Sequence, residues 1–475
     1  MLKKYLPILN WSKEYNRSLF ISDFVAQGEF NTALGRFTSN TQITRKTDEI
    51  STYQGDLKTQ GFDLGTFIGD PIFQKIDMDG KIDGSGFTIE DADFKLSAVI
   101  PKIGINGYDY QDINLRNGDF QQSFFSGDLD VADPNLTLTA KGSIDLRDNQ
   151  KKFNVTGQLD TAQLKTLNLT DEDISLASNF SLNLSGVKLD SILGNIDLSQ
   201  TYLKYKENDI VIDSLLFSSQ RNSAERDVRL SSDLFNAQFA GKFEFSTLLS
   251  ELKSINQQYK FVFSSRMDEA IARADRNIVN PDPFNIQYTV ELDNIGPVLQ
   301  LFDTSVYISK NSLLQGRFNN EETEDFTLNA KADTVKWANI MFFSNSVNIN
   351  ANDLTDIQNV FTLGVIESKQ QRYANTAETQ SLEIVAQWDG ENINIAQKVS
   401  QESSGNSTDI KAQVNFFRDS TILSFQEAKL IALNEEWNIS ENNRVLFGER
   451  RIDIKDLSIT NREQSISFDG AVAVT

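Results

Sequence analysis

Four residues in the stretch KIDMDGKIDGSGFTIED (75–91) have the types and spacing of a calcium loop. Asp79, Asp83, Gly84 and Glu90 fall at positions 1, 5, 6 and 12 of an EF-hand, where carboxylates ligate the ion and a glycine turns the chain. Lys81 stands at position 3, where its charge would repel a cation, and neither flank reads as a helix. No metal site is therefore assigned. The run Asp171, Glu172, Asp173 offers the paired carboxyls of glycoside hydrolysis, but among 67 acidic residues it reads first as a solvated turn. The chain has no histidine and no cysteine. That excludes a Ser-His-Asp triad, an imidazole acid–base, a histidine-ligated zinc, a thiol nucleophile and any disulfide. No Gly-Lys-Ser or Gly-Lys-Thr occurs, so no nucleotide phosphate loop is indicated. Frequent Asn-x-Ser/Thr triplets read as polar strand faces. No catalytic residue, metal or cofactor is expected, and the chain reads as a non-enzyme.

The 475 residues carry a net charge of −22, which disfavours nucleic acid and anionic membrane surfaces. Apolar and polar residues alternate with period 2. In NLTLTAKGSIDL, Leu136, Leu138, Ala140, Gly142, Ile144 and Leu146 share one face, opposite Asn135, Thr137, Thr139, Lys141, Ser143 and Asp145. Ile174, Leu176, Phe180, Leu182 and Leu184 repeat the pattern, as do 325–332 and 346–352. These are half-buried strands with one wet face. Asn106-Gly107, Asn117-Gly118 and Asp389-Gly390 read as hairpin turns, and 400–409 as a loop. Helical spacing appears at 245–259, and more weakly at 266–277 and 295–302. No clean domain boundary shows; the helical texture divides one continuous elongated structure into 1–244, a helical connection at 245–280, and 281–475. The N-terminal MLKKYLPILNWSKEY has a short apolar stretch broken by Pro7 and reads as neither signal peptide nor membrane anchor.

Glycine recurs in phase with the apolar face. The order apolar, any, Gly, any, apolar holds around eleven of the 25 glycines, among them Gly80, Gly127, Gly142, Gly157 and Gly241. About 4 are expected by chance at this hydrophobic content. A strand-interior glycine marks a bend or a close approach, and these five read as giving curvature or room above an apolar groove. At about 15 residues per strand and turn, the chain holds roughly 25–30 strands. The expected fold is all-β: an elongated, mostly antiparallel sheet curved into a U-shaped trough, with a hydrophobic groove and a few short helices. The expected groove lining is Leu136, Leu138, Ile144, Phe153, Val155, Leu159, Leu176, Phe180, Leu182, Phe326, Leu328, Val347 and Ile349.

The segment GYDYQDINLRNGDFQQSFFSGDLDVADPNLTLTAKGSIDL (107–146) resembles the repeated unit of TamB-type proteins, of the kind found in Bacteroidota. Residues 62–88, 231–249 and 453–474 extend the likeness. These proteins are the inner-membrane component of the translocation and assembly module and belong to the AsmA-like, bridge-like lipid transfer group. The resemblance implies a periplasmic β-trough that carries phospholipid between the inner and outer membranes. It also implies an outer-membrane barrel partner of the Omp85 type and an inner-membrane anchor that this chain lacks. The chain accordingly reads as an internal segment ending at GAVAVT. Two rival readings are a scaffold that assists outer-membrane barrel assembly and a β-helical enzyme acting on polysaccharide.

Overall fold

The computed structural model describes residues 23–44, 51–86, 91–147, 151–276, 282–321, 323–373, 377–448, 450–462 and 464–473. The N-terminal stretch and Glu90 lie outside them. Among the described residues the fold is all-β, with 28 strands and four α-helices in an antiparallel sheet. The chain divides into two units, 1–217 and 218–475.

In the first unit, strands β1 (Asp23–Thr32), β2 (Gly35–Thr44) and β3 (Thr52–Asp63) lead to helix α1 (Leu64–Ile68). They are followed by β4 (Phe73–Ser85), β5 (Asp93–Ile105), β6 (Tyr108–Gln121), β7 (Phe124–Asp133) and β8 (Leu136–Asp145). β9 (Lys152–Gln163), β10 (Ile174–Ser185) and β11 (Leu193–Tyr205) complete it, and β12 (Asn208–Asn222) spans the division. Each strand from β1 to β11 pairs with its sequence neighbours. The ladder is a meander, the arrangement that short polar turns between amphipathic strands favour.

The second unit opens with β13 (Glu225–Ser232) and β14 (Phe235–Lys242), then helices α2 (Phe245–Phe263) and α3 (Met267–Arg276). β15 (Asn285–Leu292), α4 (Gly296–Leu299), the short β16 (Tyr307–Ile308), β17 (Ser312–Asn319), β18 (Asp325–Trp337) and β19 (Ile340–Asn352) follow. β20 (Phe361–Tyr373), β21 (Ala377–Asp389), β22 (Asn392–Gln401), β23 (Asn406–Phe416) and β24 (Ser420–Ala432) continue the ladder. It ends with β25 (Glu435–Ile439), β26 (Arg444–Gly448), β27 (Arg451–Thr460) and β28 (Ser465–Ala473). β24 pairs with both β25 and β26, and β27 pairs with both in turn.

Several local readings change. Asn117 has φ 52° and sits at a register shift inside β6, so Asn117-Gly118 is a bulge. The turn comes at Gln122 and Ser123, both with positive φ. The stretch 400–409 is mostly strand, with its turn confined to the residues between β22 and β23. Helix α1 had no periodic signal. Asp63 caps it by accepting from the Thr66 N–H at 2.9 Å, and Gly69 closes it in the left-handed region at φ 80°. Helices α2 and α3 lie in the second unit, and they pack on its strands.

Candidate functional site

Strand β4 settles the opening tetrad. Asp79 and Asp83 lie on one extended strand, four residues or about 13 Å apart, too far to ligate one ion. Asp79 pairs with the Lys58 ammonium at 2.9 Å, and Asp83 accepts from the Gln54 amide at 3.1 Å. Gly84, read from sequence as part of a turn, is a strand residue facing Tyr53 and Phe94.

Directly opposed residues in a ladder share a face, so the register builds rows across the strands. One central row in the first unit crosses eleven strands. It runs Gly28, Ser39, Leu57, Gly80, Ala98, Leu115, Leu129, Ala140, Gly157, Phe180, Leu198. A second row near the strand ends runs Phe24, Ile43, Tyr53, Gly84, Phe94, Phe120, Phe125, Ile144, Phe153, Leu184, Gly194. Neither contains a charge. Phe94 and Phe120 stack at 5.0 Å between centroids. Burial, reinforced by Asp91 and Asp93, pushes the Tyr53 phenol up to about 12.

All nine lining candidates of the first unit fall on this face. Val155 opposes Gly142 and Leu182, Leu138 opposes Val131 and Leu159, and Ala162 stands between Leu136 and Leu176. Ile144 and Phe153 lie in the outer row, and Phe180 in the central one. All are half-buried. The aromatic row escaped sequence reading because the bulge at Asn117 shifts the alternation between Leu115 and Phe120.

The second unit repeats the arrangement. Its central row is Val228, Phe239, Tyr288, Gly316, Leu328, Ile349, Gly364, Ala386, Ile395, Ala412, Phe425. Leu328 and Ile349 are direct partners there, Phe326 opposes Phe318 and Ala351, and Val347 opposes Ala330 and Ile366. The Tyr288 hydroxyl donates to the Thr327 carbonyl at 2.8 Å, and burial pushes its phenol up to about 12. The reverse faces are polar and carry ion pairs such as Arg116–Asp130 and Lys411–Glu427. A concavity of about 690 Å³ opens on the polar side, lined by Lys331, Ser346, Glu367 and Glu383 among others. Its mixed charge sets it apart from the apolar rows.

The glycines of the apolar face are closely approached. A Cβ on Gly142 would stand 2.1 Å from the Asn154 carbonyl oxygen, and one on Gly241 2.1 Å from that of Asn285. On Gly80 it would meet Ala98 and the Ser97 carbonyl at 2.7 Å, and on Gly157 the Thr139 carbonyl at 2.4 Å and Phe180 at 2.7 Å. Only Gly127 of the five has contacts no closer than 3.3 Å. At the other four the neighbouring strand occupies the place of the side chain, rather than open room above the groove. Register shifts at Thr59/Phe62, Leu96/Ala98, Thr137/Leu138 and Leu176/Ser178 add local bends. Buried hydroxyls mend these breaks: Thr59 donates to the Ile76 carbonyl at 3.1 Å, and Ser178 bonds Thr201 at 2.8 Å.

No family model, curated protein or solved structure matches the chain. No helix among the described residues is long and apolar enough to cross a membrane.

Proposed function

We propose that the protein is a periplasmic conduit for phospholipid between inner and outer membranes. Acyl chains lie along the apolar rows while headgroups stay in water. The observation that carries this reading is the pair of charge-free central rows, each crossing eleven strands of its own unit on a half-buried face. So long an apolar face is not left to water unless something apolar covers it. Bulges and closely approached glycines supply the local bending a trough needs. Transfer by sliding requires no covalent step, which suits a chain without histidine or cysteine. An Omp85-type outer-membrane barrel is the proposed partner.

The test is a photo-crosslinker at Leu138 or at its neighbour Thr139, which face opposite sides of β8. Phospholipid adducts are expected at Leu138 with few at Thr139; equal labelling, or none, overturns the conduit. A second reading, a scaffold for nascent barrel strands, draws on β28. All nine of its residues are exposed, including Ile466, Phe468 and Val472. A strand with exposed apolar positions can accept another strand. Protein adducts from Phe468, without lipid at Leu138, would favour that reading.

A further inference from the structure

One row of the second unit is covered by the protein itself. It runs Arg226, Gly241, Ile286, Phe318, Phe326, Ala351, Thr362, Trp388, Ile393, Val414, Leu423, beside the central row and nearer the strand ends. Arg226 is its single charge. Its side chain is wholly buried, 3.6 Å from the Glu244 carboxylate and beneath the Phe245 ring. Glu244 immediately precedes α2, so the ion pair anchors the start of the helix to the start of the row. At the other end Val262, Met267 and Ala270 pack on Ile357, Val360, Trp388 and Phe416, with Ile393 and Val414 alongside. Between these ends the Gln258 amide donates to the Thr355 carbonyl at 3.1 Å. A 19-residue helix is about 28 Å long, and the seven strand steps from β13 to β21 span roughly 34 Å. Helix α2 therefore runs across the strands, along the row, on its apolar side.

The contact is imperfect. Among the described residues, the Tyr259 hydroxyl and one Glu324 carboxylate oxygen are buried at it without a hydrogen-bond partner. Glu251 of α2 feels the Glu324 charge. Unpartnered buried polar atoms cost free energy that hydration would recover if the helix lifted. The helix also shows apolar side chains to solvent: Leu249, Leu252 and Phe263 are 55%, 45% and 64% exposed.

We propose that α2 and α3 form a displaceable cover that occupies this row in place of an acyl chain and yields it when lipid arrives. The inference rests on the conduit reading and adds an autoinhibitory contact to it. The strand ladder does not change when the cover lifts.

The absence of native cysteine makes the test clean. Ser265, just past α2, donates to the Thr421 hydroxyl of β24 at 3.0 Å. Ser265→Cys with Thr421→Cys places two thiols where those hydroxyls meet, and oxidation locks the cover shut. Photo-crosslinkers stand at Ile393 under the cover and at Leu138 in the other unit. On oxidation, lipid adducts at Ile393 should fall about tenfold or more and return on reduction, with Leu138 unchanged. Equal labelling at Ile393 in both states, with Leu138 labelled, overturns the cover and leaves the conduit standing. Lipid at neither position overturns the conduit and this proposal with it. Amide exchange of the unmodified chain gives a check free of both lipid and mutation. The amides of α2 should exchange faster than those of β18 to β23 beneath it, and equally slow exchange means the helix does not lift.

Discussion

A single missing carbon decides how the sheet is built. Gly127 and Gly157 both sit in phase with the apolar face, and neither has the left-handed backbone that strains other residues. Their surroundings differ. A Cβ on Gly127 meets its neighbours at 3.3 Å, whereas one on Gly157 collides with the Thr139 carbonyl and the Phe180 ring. Gly127→Ala should therefore fall within about 1 kcal/mol of neutral, since lost chain entropy in the unfolded state offsets a mild contact. Gly157→Ala should destabilise by about 1–3 kcal/mol, the usual effect of overpacking. Urea unfolding followed by far-UV circular dichroism distinguishes them, and equal losses would remove the close-approach account. Gly142→Leu, which sequence alone suggests would fill a groove at modest loss of stability, is expected instead to push β8 from β9.

Helix α2 carries the clearest pH dependence at the level of elements. Burial raises the Glu324 carboxyl above the ordinary glutamate range, opposed by the Thr355 hydrogen bonds and reinforced by Asp353 and Asp356. Glu251, on the helix, is raised by burial and by Glu324, and burial raises the Tyr259 phenol as well. These are the titratable groups that face Glu324 among the described residues. A carboxyl whose value is raised on docking favours the docked state fully below its ordinary value, near 4.5, and that preference is lost as pH rises through the raised value. Docking of α2 should thus tighten toward acid pH. A bimane at Phe263→Cys, a ring 5.5 Å from Trp388, should be quenched more as pH falls. Glu324→Gln should flatten the profile, and an unchanged profile would detach Glu324 from the cover. How much was legible follows the same physics. Strand alternation and the apolar stripe of α2 are local patterns and could be read directly. The bulge at Asn117, the aromatic row it hides and the cap of α1 depend on register or on single hydrogen bonds. The burial of Arg226 under α2 joins residues that no periodicity relates, so it left no trace in the sequence.

At the scale of the whole molecule the question is capacity. A net charge of −22 and polar reverse faces favour solubility of a chain that carries long apolar rows. Each central row crosses eleven strands, so its ten spacings span about 48 Å within its unit. Half a bilayer's hydrocarbon core is about 15 Å thick, which sets the reach of one acyl chain. A row is therefore some three acyl lengths long, and one lipid cannot cover it. Native mass spectrometry of chain purified with its lipids should show a series of adducts with several phospholipids per protein, losing members gradually as detergent rises. Leu328→Asp, which puts a charge in the central row of the second unit beside Gly316 and Ile349, should shorten the series without abolishing it, because the first unit keeps its own row. A single phospholipid per chain, lost all at once, would describe a closed pocket and would end the conduit reading.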